Sequence, residues 1–389
     1  MLLNVLKSIF ARSPDGSLPP ASSSQQSQGS PAQKEFSHSL LTEFFERLHG
    51  SVEDNFDRAR FGHEGVDPSR NFSAAQHAEY LHTYFDHANP LFSAYSLLRD
   101  EASRQLYRRL LLYRLAGHLH VRIKDGVGWR TEADILAKAA EFDAGPSGLA
   151  VAGLFGPIRH HENIPAAEGT IKLDCWPVNV AFTALKRQYY FSRDNVEIAP
   201  RSGDVVLDCG ACFGDTAVYF ASSVGQSGHV HAFDPLPSHN EVLALNIRQN
   251  EFAERITGVA CAVGDKPFDP GKGGMGQSGS TGSALPGFSL LSKNPGFPVT
   301  TLDGYAEKNA LDRVDFIKMD IEGYELPALR GARNIIKRFR PRLAISLYHK
   351  PVDMFEIPLW IHENFPDYEL YLDHYTIHQE ETVLYARAP

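Results

Sequence analysis

VVLDCGACFGDT, from Val205 to Thr216, is a strand that runs into an acidic, glycine-punctuated turn. Val205, Val206 and Leu207 form an uninterrupted apolar run, the pattern of a strand buried on both faces, as in a parallel sheet. Asp208 and Gly210 follow at once, where such a strand hands over to a helix. An α/β fold is therefore expected, with a ligand at the carboxyl end of this strand. Gly210 and Gly214 give G-x-x-x-G, whereas the dinucleotide fingerprint is G-x-G-x-x-G, whose second glycine lets the backbone touch a pyrophosphate. That glycine is missing, which points to a ligand without a pyrophosphate.

S-adenosyl-L-methionine meets this requirement, offering an adenosine, a ribose with two hydroxyls and a zwitterionic tail. The backbone of Gly210, Ala211 and Gly214, with Asp215 opening the next helix, is expected to hold the tail carboxylate at the helix's positive end. Asp208 would face the sulfonium or ammonium side. A second strand, HVHAFDP, ends at Asp234. That carboxylate lies about 20 residues beyond Gly214, the separation at which an acidic residue takes the ribose hydroxyls in a Rossmann-like unit. After a helix from Ser238 to Asn250, the strand Ile256 to Asp265 places Gly264 and Asp265 as candidates for the adenine edge, or as plain strand terminators.

A third segment, DFIKMDIEGYELPALRGA, follows Val314: a strand ending in Asp320, Glu322 and Gly323, with a helix starting near Tyr324. With the words D-x-G-A-x-x-G-D (Asp208 to Asp215) and K-x-D-x-E-G-x-E-x-x-x-L-x-G (Lys318 to Gly331), the chain resembles the FkbM family of S-adenosylmethionine-dependent methyltransferases. The resemblance extends from about Ile171 to Pro389, taking in Ser346 to Pro358, Tyr371 to Thr376 and Glu381 to Ala386. Many members carry an asparagine where this chain has Cys212. What it implies is a Rossmann-like class I methyltransferase fold: a seven-stranded, mostly parallel sheet closed by an antiparallel last strand near Glu381 to Arg387. It further implies O-methylation of a small-molecule or glycan hydroxyl, on a sugar or secondary metabolite. The alternative is a non-catalytic Rossmann-like binding protein that has lost turnover.

Composition sets wider bounds. A chain of 389 residues, 43% hydrophobic, can fill more than one domain. A net charge of −9 argues against a nucleic-acid partner, which needs a basic face to displace counterions. Four cysteines are too few for a disulfide scaffold, so a reducing cytoplasm is expected. Cys209 and Cys212 form C-x-x-C, but no second pair completes a zinc site and the D-x-G frame is not a thioredoxin turn.

Three divisions are expected along the chain. Residues 1–34 form a disordered tail, whose apolar Met1 to Phe10 is too short for a membrane span. Residues 35–165 form a helical accessory domain, carried by periodic apolar stripes at Phe36 to Leu48, Tyr80 to Phe85 and Leu106 to Leu115, and by a helix capped by Thr131 and Asp134. Its Arg104, Arg108, Arg109 and Arg114 suit a solvated helix face better than an anionic substrate. His160 and His161 read as loop histidines near the junction. Residues 166–389 form the methyltransferase domain. Within it, Gly271 to Phe288 is too glycine-rich for regular structure and is a lid or a disordered insertion.

Methyl transfer to a hydroxyl needs in-line positioning and gains from a base. His349, His374, Asp320 and Glu322 stand at strand ends and are expected to converge there, with His349 the first choice for the base and His374 the second. Asp320 with a histidine could hold a divalent metal, but hard-ion sites gather more carboxylates than these, so none is expected.

Overall fold

The computed structural model describes residues 30–50, 72–123, 132–151, 156–269 and 297–389. Most of the expected tail and the whole glycine-rich segment lie outside these residues, as does Thr131. Residues 31–34, expected in the tail, already belong to the first helix.

The amino-terminal layer is α1 (Pro31–His49), α2 (Ala74–Asp86), α3 (Ala88–Leu97), α4 (Glu101–Ala116) and α5 (Glu132–Ala140). Local chemistry sets their ends. Ser30 accepts the Gln33 amide at 3.2 Å and Pro31 opens the first turn of α1. Ser73 and Gln76 form a reciprocal capping box on α2. Asp100 takes the Ser103 amide at 2.7 Å to start α4, and Gly117, at φ +86°, ends it.

A three-stranded antiparallel sheet follows: β1 (Asp143–Pro146), β2 (Arg159–Pro165) and β3 (Thr170–Cys175). The helical pattern expected as far as His161 thus gives way to strands. His160 and His161 lie in β2 rather than in a loop, and His161 is wholly buried. The expected boundary at 165/166 falls inside the β2–β3 hairpin.

Beyond it come α6 (Pro177–Val180), which continues as a π-turn through Ala181–Leu185, and the short hairpin β4 (Phe191–Arg193) and β5 (Val196–Ile198). The main sheet then unfolds in order: β6 (Val205–Cys209), α7 (Asp215–Val224), β7 (His229–Phe233), α8 (Pro237–Arg248) and β8 (Ile256–Val259). The expected strand to Asp265 breaks after Val259. Its second part, β9 (Ala262–Val263), leaves the main sheet and pairs with β10 (Val299–Thr300). Next are α9 (Leu302–Lys308), β11 (Phe316–Met319), α10 (Glu325–Arg330), α11 (Arg333–Phe339), β12 (Arg342–Ser346), α12 (Asp353–Asn364), β13 (Glu369–His374) and β14 (Thr382–Arg387).

The seven strands stand in the order β13-β14-β12-β11-β6-β7-β8. All neighbours are parallel except β14, which runs antiparallel between β12 and β13. The fold is therefore α/β with the mostly parallel seven-stranded sheet the sequence led us to expect, and a helical region precedes it. β6 and β11 sit side by side at its centre, which puts Asp208 level with Lys318.

The amino-terminal helices share a core with one sheet face, from Phe44, Leu110 and Leu115 through to Ile317, Ile345 and Leu370. The seam is also hydrogen-bonded: the Arg99 amide donates to the Leu370 carbonyl at 2.8 Å, and the Tyr107 hydroxyl to the Met354 carbonyl at 3.0 Å.

Candidate active site

The turn after β6 is held by its own chain. Gly210 and Ala211 both donate amide hydrogens to the Phe233 carbonyl at 2.9 Å, Gly214 donates to the Ala211 carbonyl at 2.6 Å, and the Cys212 amide donates to Asp234 Oδ2 at 3.0 Å. The amides expected to receive a ligand carboxylate are in these positions already used. Gly210 is required for a different reason: at φ +84°, a Cβ there would meet the Asp320 carbonyl oxygen at 1.8 Å. Gly214, at φ +82°, faces Leu243 Cδ1 at 2.3 Å in the same sense.

Asp208 does not reach a cavity. It is fully buried, ion-paired with Lys318 at 3.0 Å, and accepts the Thr216 hydroxyl at 2.6 Å. Burial would push Lys318 down, but the Asp208 and Asp320 charges raise its pKa on balance. Asp234 is also buried, with the Leu236 amide on Oδ1 at 2.9 Å and the His239 ring at 3.2 Å. Gly264 packs against the Gly331 turn, where a Cβ on Gly331 would lie 2.1 Å from its carbonyl oxygen, and Asp265 beside it is exposed.

A cavity of about 140 Å³ opens between this turn, the end of β11 and the π-turn. Gly210, Cys212, Asp215, Thr216, Lys318 and Asp320 line one side, as the strand-end rule predicts. The opposite side was not foreseen from the sequence. Asn179 and Thr183 hold Asp215 at 3.3 and 2.6 Å, and burial raises that carboxyl's pKa. Gln188 donates to Glu381 at 2.9 Å, and Tyr189 donates its hydroxyl to Asp320 Oδ2 at 2.6 Å. A π-turn has no sequence period to betray it. The available signal was the polar and aromatic density of residues 176–190 just before the glycine turn.

Asp320 is the hub. It accepts Tyr189 on one oxygen and Tyr348, at 3.0 Å, on the other, and His349 Nε2 stands 3.3 Å away. Burial pushes its pKa up, but His349, Lys318 and the two phenols outweigh it and hold the carboxyl below its usual value. Glu322 lies 3.7 Å from His349 Nε2, and Glu325 lies 2.9 Å from Nδ1. Burial chiefly pushes Glu322 up to about 8, against the His349 charge. Burial works against charge on His349 as well, yet Glu325, Asp320 and Glu322 bring it to about 10. At neutral pH this imidazole is a cation, so the chain as it stands gives it no lone pair with which to act as a base.

Asp320, Glu322 and His349 are thus brought together, and His374 is not with them. It is buried at the end of edge strand β13, between the hydroxyls of Thr382 at 2.9 Å and Thr376 at 3.3 Å. Convergence failed because β14 inserts between β12 and β13. Four non-glycine residues in the left-handed region, Tyr189, Cys212, Glu322 and Glu381, border the cavity or the His349 cluster. Each such conformation costs about 1–3 kcal/mol, and such strain gathers at functional sites.

A larger open depression of about 700 Å³ lies between α1 and α4. Arg47 and Arg108 in its wall are both spent on Glu43, at 2.9 Å each, and Arg104 is spent on Glu101, so no anion site forms there. No helix among the described residues is long and apolar enough to cross a membrane.

Comparison with known proteins agrees with the central turn. Residues 208–376 match the family model described as the methyltransferase FkbM domain. No curated protein sequence matches the chain. Among solved structures, the methyltransferase FkbM from Methylobacillus flagellatus is similar at 21% identity and a TM-score of 0.49, over 80% of this chain. The chain spans 62% of that protein's length. The O-methyltransferase from Bacillus cereus in complex with SAH is similar at 13% identity and a TM-score of 0.33, over 48% of this chain and 74% of its own. Aeropyrum pernix fibrillarin, with natively bound S-adenosyl-L-methionine, stands at 14% identity and 0.30, over 49% and 69%. The turn after β6, the strand end at Asp320 and the family match over the same stretch together make residues 208–376 a methyltransferase FkbM domain.

Proposed function

We propose that this protein is an S-adenosyl-L-methionine-dependent O-methyltransferase acting on a hydroxyl of a sugar, glycan or secondary metabolite. The observation that supports it is the cavity where the Gly210 turn meets Asp320, polar on both sides and closed by the tyrosine-bound carboxylate. Its carboxylates, Asp215, Asp320 and Glu381, favour a cationic ligand such as the sulfonium and ammonium of the cofactor. Asp234, fixed by the Cys212 and Leu236 amides, takes the ribose in this reading, and Gly210, Ala211 and Gly214 shape the tail's pocket.

The chemistry is mostly positioning, because a sulfonium is already a good leaving centre. Glu322, pushed up to about 8 chiefly by burial, becomes a free carboxylate able to take the acceptor's proton only above neutral pH, while charged His349 positions Asp320 and Glu322. Residues 166–389 would be the catalytic unit and 35–165 an accessory layer. The four free cysteines suit a reducing compartment such as the cytoplasm.

Calorimetric titration with S-adenosyl-L-methionine and S-adenosylhomocysteine, with NADH as control, is the deciding experiment. Micromolar binding of the first two is expected. Folded protein that binds neither would favour the non-catalytic shell, and NADH binding would favour an oxidoreductase. Replacing Asp234 by Asn should weaken cofactor binding about tenfold or more, since hydrogen bonds to a charged group contribute about 1.5–3 kcal/mol each. An unchanged affinity would remove the ribose assignment.

A further inference from the structure

Behind the cavity, carboxylates gather around one imidazole. Asp320, Glu322 and Glu325 all lie within 4 Å of the single imidazole of His349. Buried Asp353 stands behind them; the Lys318 ammonium is held by Asp208 and the Gly210 carbonyl, and Lys350 donates to the Gly323 carbonyl. Glu325 is wholly buried, its Oε1 accepts the Ile321 amide at 2.8 Å, and its Oε2 has no hydrogen-bond partner among the described residues. A buried carboxylate oxygen left without a donor is costly. One ligand atom each from Asp320, Glu325 and His349 lies within 4.8 Å of the others.

We propose that Asp320, Glu325 and His349 hold a divalent cation that polarises the acceptor's hydroxyl oxygen. The inference rests on the O-methyltransferase reading above. Once the ion displaces the imidazolium proton, two carboxylates and an imidazole form a mixed oxygen and nitrogen donor set of the kind that suits manganese or a similar first-row ion. Ligand atoms on an octahedral ion at about 2.1 Å stand roughly 3 Å apart in neighbouring positions and 4 Å apart in opposite ones, so three atoms within 4.8 Å of one another must draw in by up to about 2 Å to hold it. The fold also removes the objection raised from sequence, that a strand-end aspartate and a histidine are too few ligands. Glu325, five residues past Asp320, starts α10 and turns back beneath it.

Asp320 lines the cavity, so the ion's remaining positions face the acceptor, and a pair of adjacent hydroxyls is the acceptor class that fits them. In the transfer, the methyl carbon leaves sulfur, the C–S electron pair stays on sulfur, and the carbon bonds to the acceptor oxygen. That oxygen, made more acidic by the ion, gives its proton to solvent water.

The test uses the 389-residue chain, stripped with EDTA and desalted, with Mn²⁺ titrated in the absence of any methyl donor. Loss of the free-ion electron paramagnetic resonance signal reports binding. One site of micromolar affinity is expected, weakened about tenfold or more in Asp320→Asn and in Glu325→Gln. If Glu325→Gln loses its near-UV circular dichroism, His349→Gln replaces it. Unchanged free Mn²⁺ signal with the wild-type chain overturns the proposal, as does wild-type affinity in folded variants. S-adenosylhomocysteine calorimetry on the same stripped sample separates the two readings. If S-adenosylhomocysteine binds and Mn²⁺ does not, the methyltransferase reading stands and the ion is removed; if Mn²⁺ binds and S-adenosylhomocysteine does not, the ion stands and the cofactor is removed.

Discussion

Gly210 is the residue whose identity is most tightly dictated by its surroundings. A methyl group there meets backbone, the Asp320 carbonyl, rather than a side chain that could rotate away, and the left-handed φ adds strain. Gly210→Ala should destabilise by about 2 kcal/mol or more, read as a lowered urea midpoint, and should open the seam between β6 and β11. His160 offers a prediction tied to pH. Burial pushes its pKa down, but Asp174 at 2.8 Å and Glu162 bring it above its ordinary value on balance. A group raised on folding adds stability that is fully present below its unfolded pKa of about 6.5 and is lost as pH rises through the folded value. His160→Gln should therefore lower the melting temperature more at pH 5.5 than at pH 9. Equal shifts at both would remove the role assigned to the charge.

At the level of elements, β6 and β11 are joined by backbone pairing and by the ion pair Asp208–Lys318, both side chains almost wholly buried. Lys318 also donates to the Gly210 carbonyl at 2.7 Å, so one ammonium ties the strand pair to the glycine turn. Removing one partner of a buried pair leaves an uncompensated charge, and Lys318→Met should cost about 3–5 kcal/mol by denaturant titration. A loss below about 1 kcal/mol would mean that the ion pair does not hold the two strands together. The pattern of strands was legible because central parallel strands are mostly apolar on both faces, as Val205 to Leu207 are, and as Phe316, Ile317 and Met319 are around the single buried Lys318. The short strands β1 and β2 were not, since their polar residues carry no clean alternation, and neither was the break after Val259; β3 does alternate polar and apolar residues from Thr170 to Cys175 and was open to being read.

For the whole molecule, the amino-terminal helices and the sheet bury one continuous apolar core, with Leu110 at its centre and fully buried. Leu110→Ala should cost about 2–5 kcal/mol and shift one cooperative transition, seen at the same temperature by far-UV and near-UV circular dichroism. Two separated transitions, only one of them moved, would mean that the helical layer melts by itself. The same packing explains the fate of the four arginines of α4. Arg104 and Arg108 meet acids on their own layer, Arg109 donates to the Arg122 carbonyl, and Arg114 is drawn into the interior.

The order of apolar runs and the glycine spacing determined the α/β class, the turn at Gly210 and the strand-end acids at Asp234 and Asp320, because these follow from local periodicity and backbone sterics. Only the tertiary structure decided which side chains share a site. His349 joined Asp320 because β12 pairs directly with β11, while β14, the last strand in sequence, slid between β12 and β13 and left His374 outside. Glu325, five residues past Asp320, came back through the left-handed turn at Glu322 and Gly323, while Glu381 and Tyr189 entered for the same reason as His349. Their neighbours are set by strand order and by left-handed turns, which pair residues distant along the chain and leave no period in the sequence.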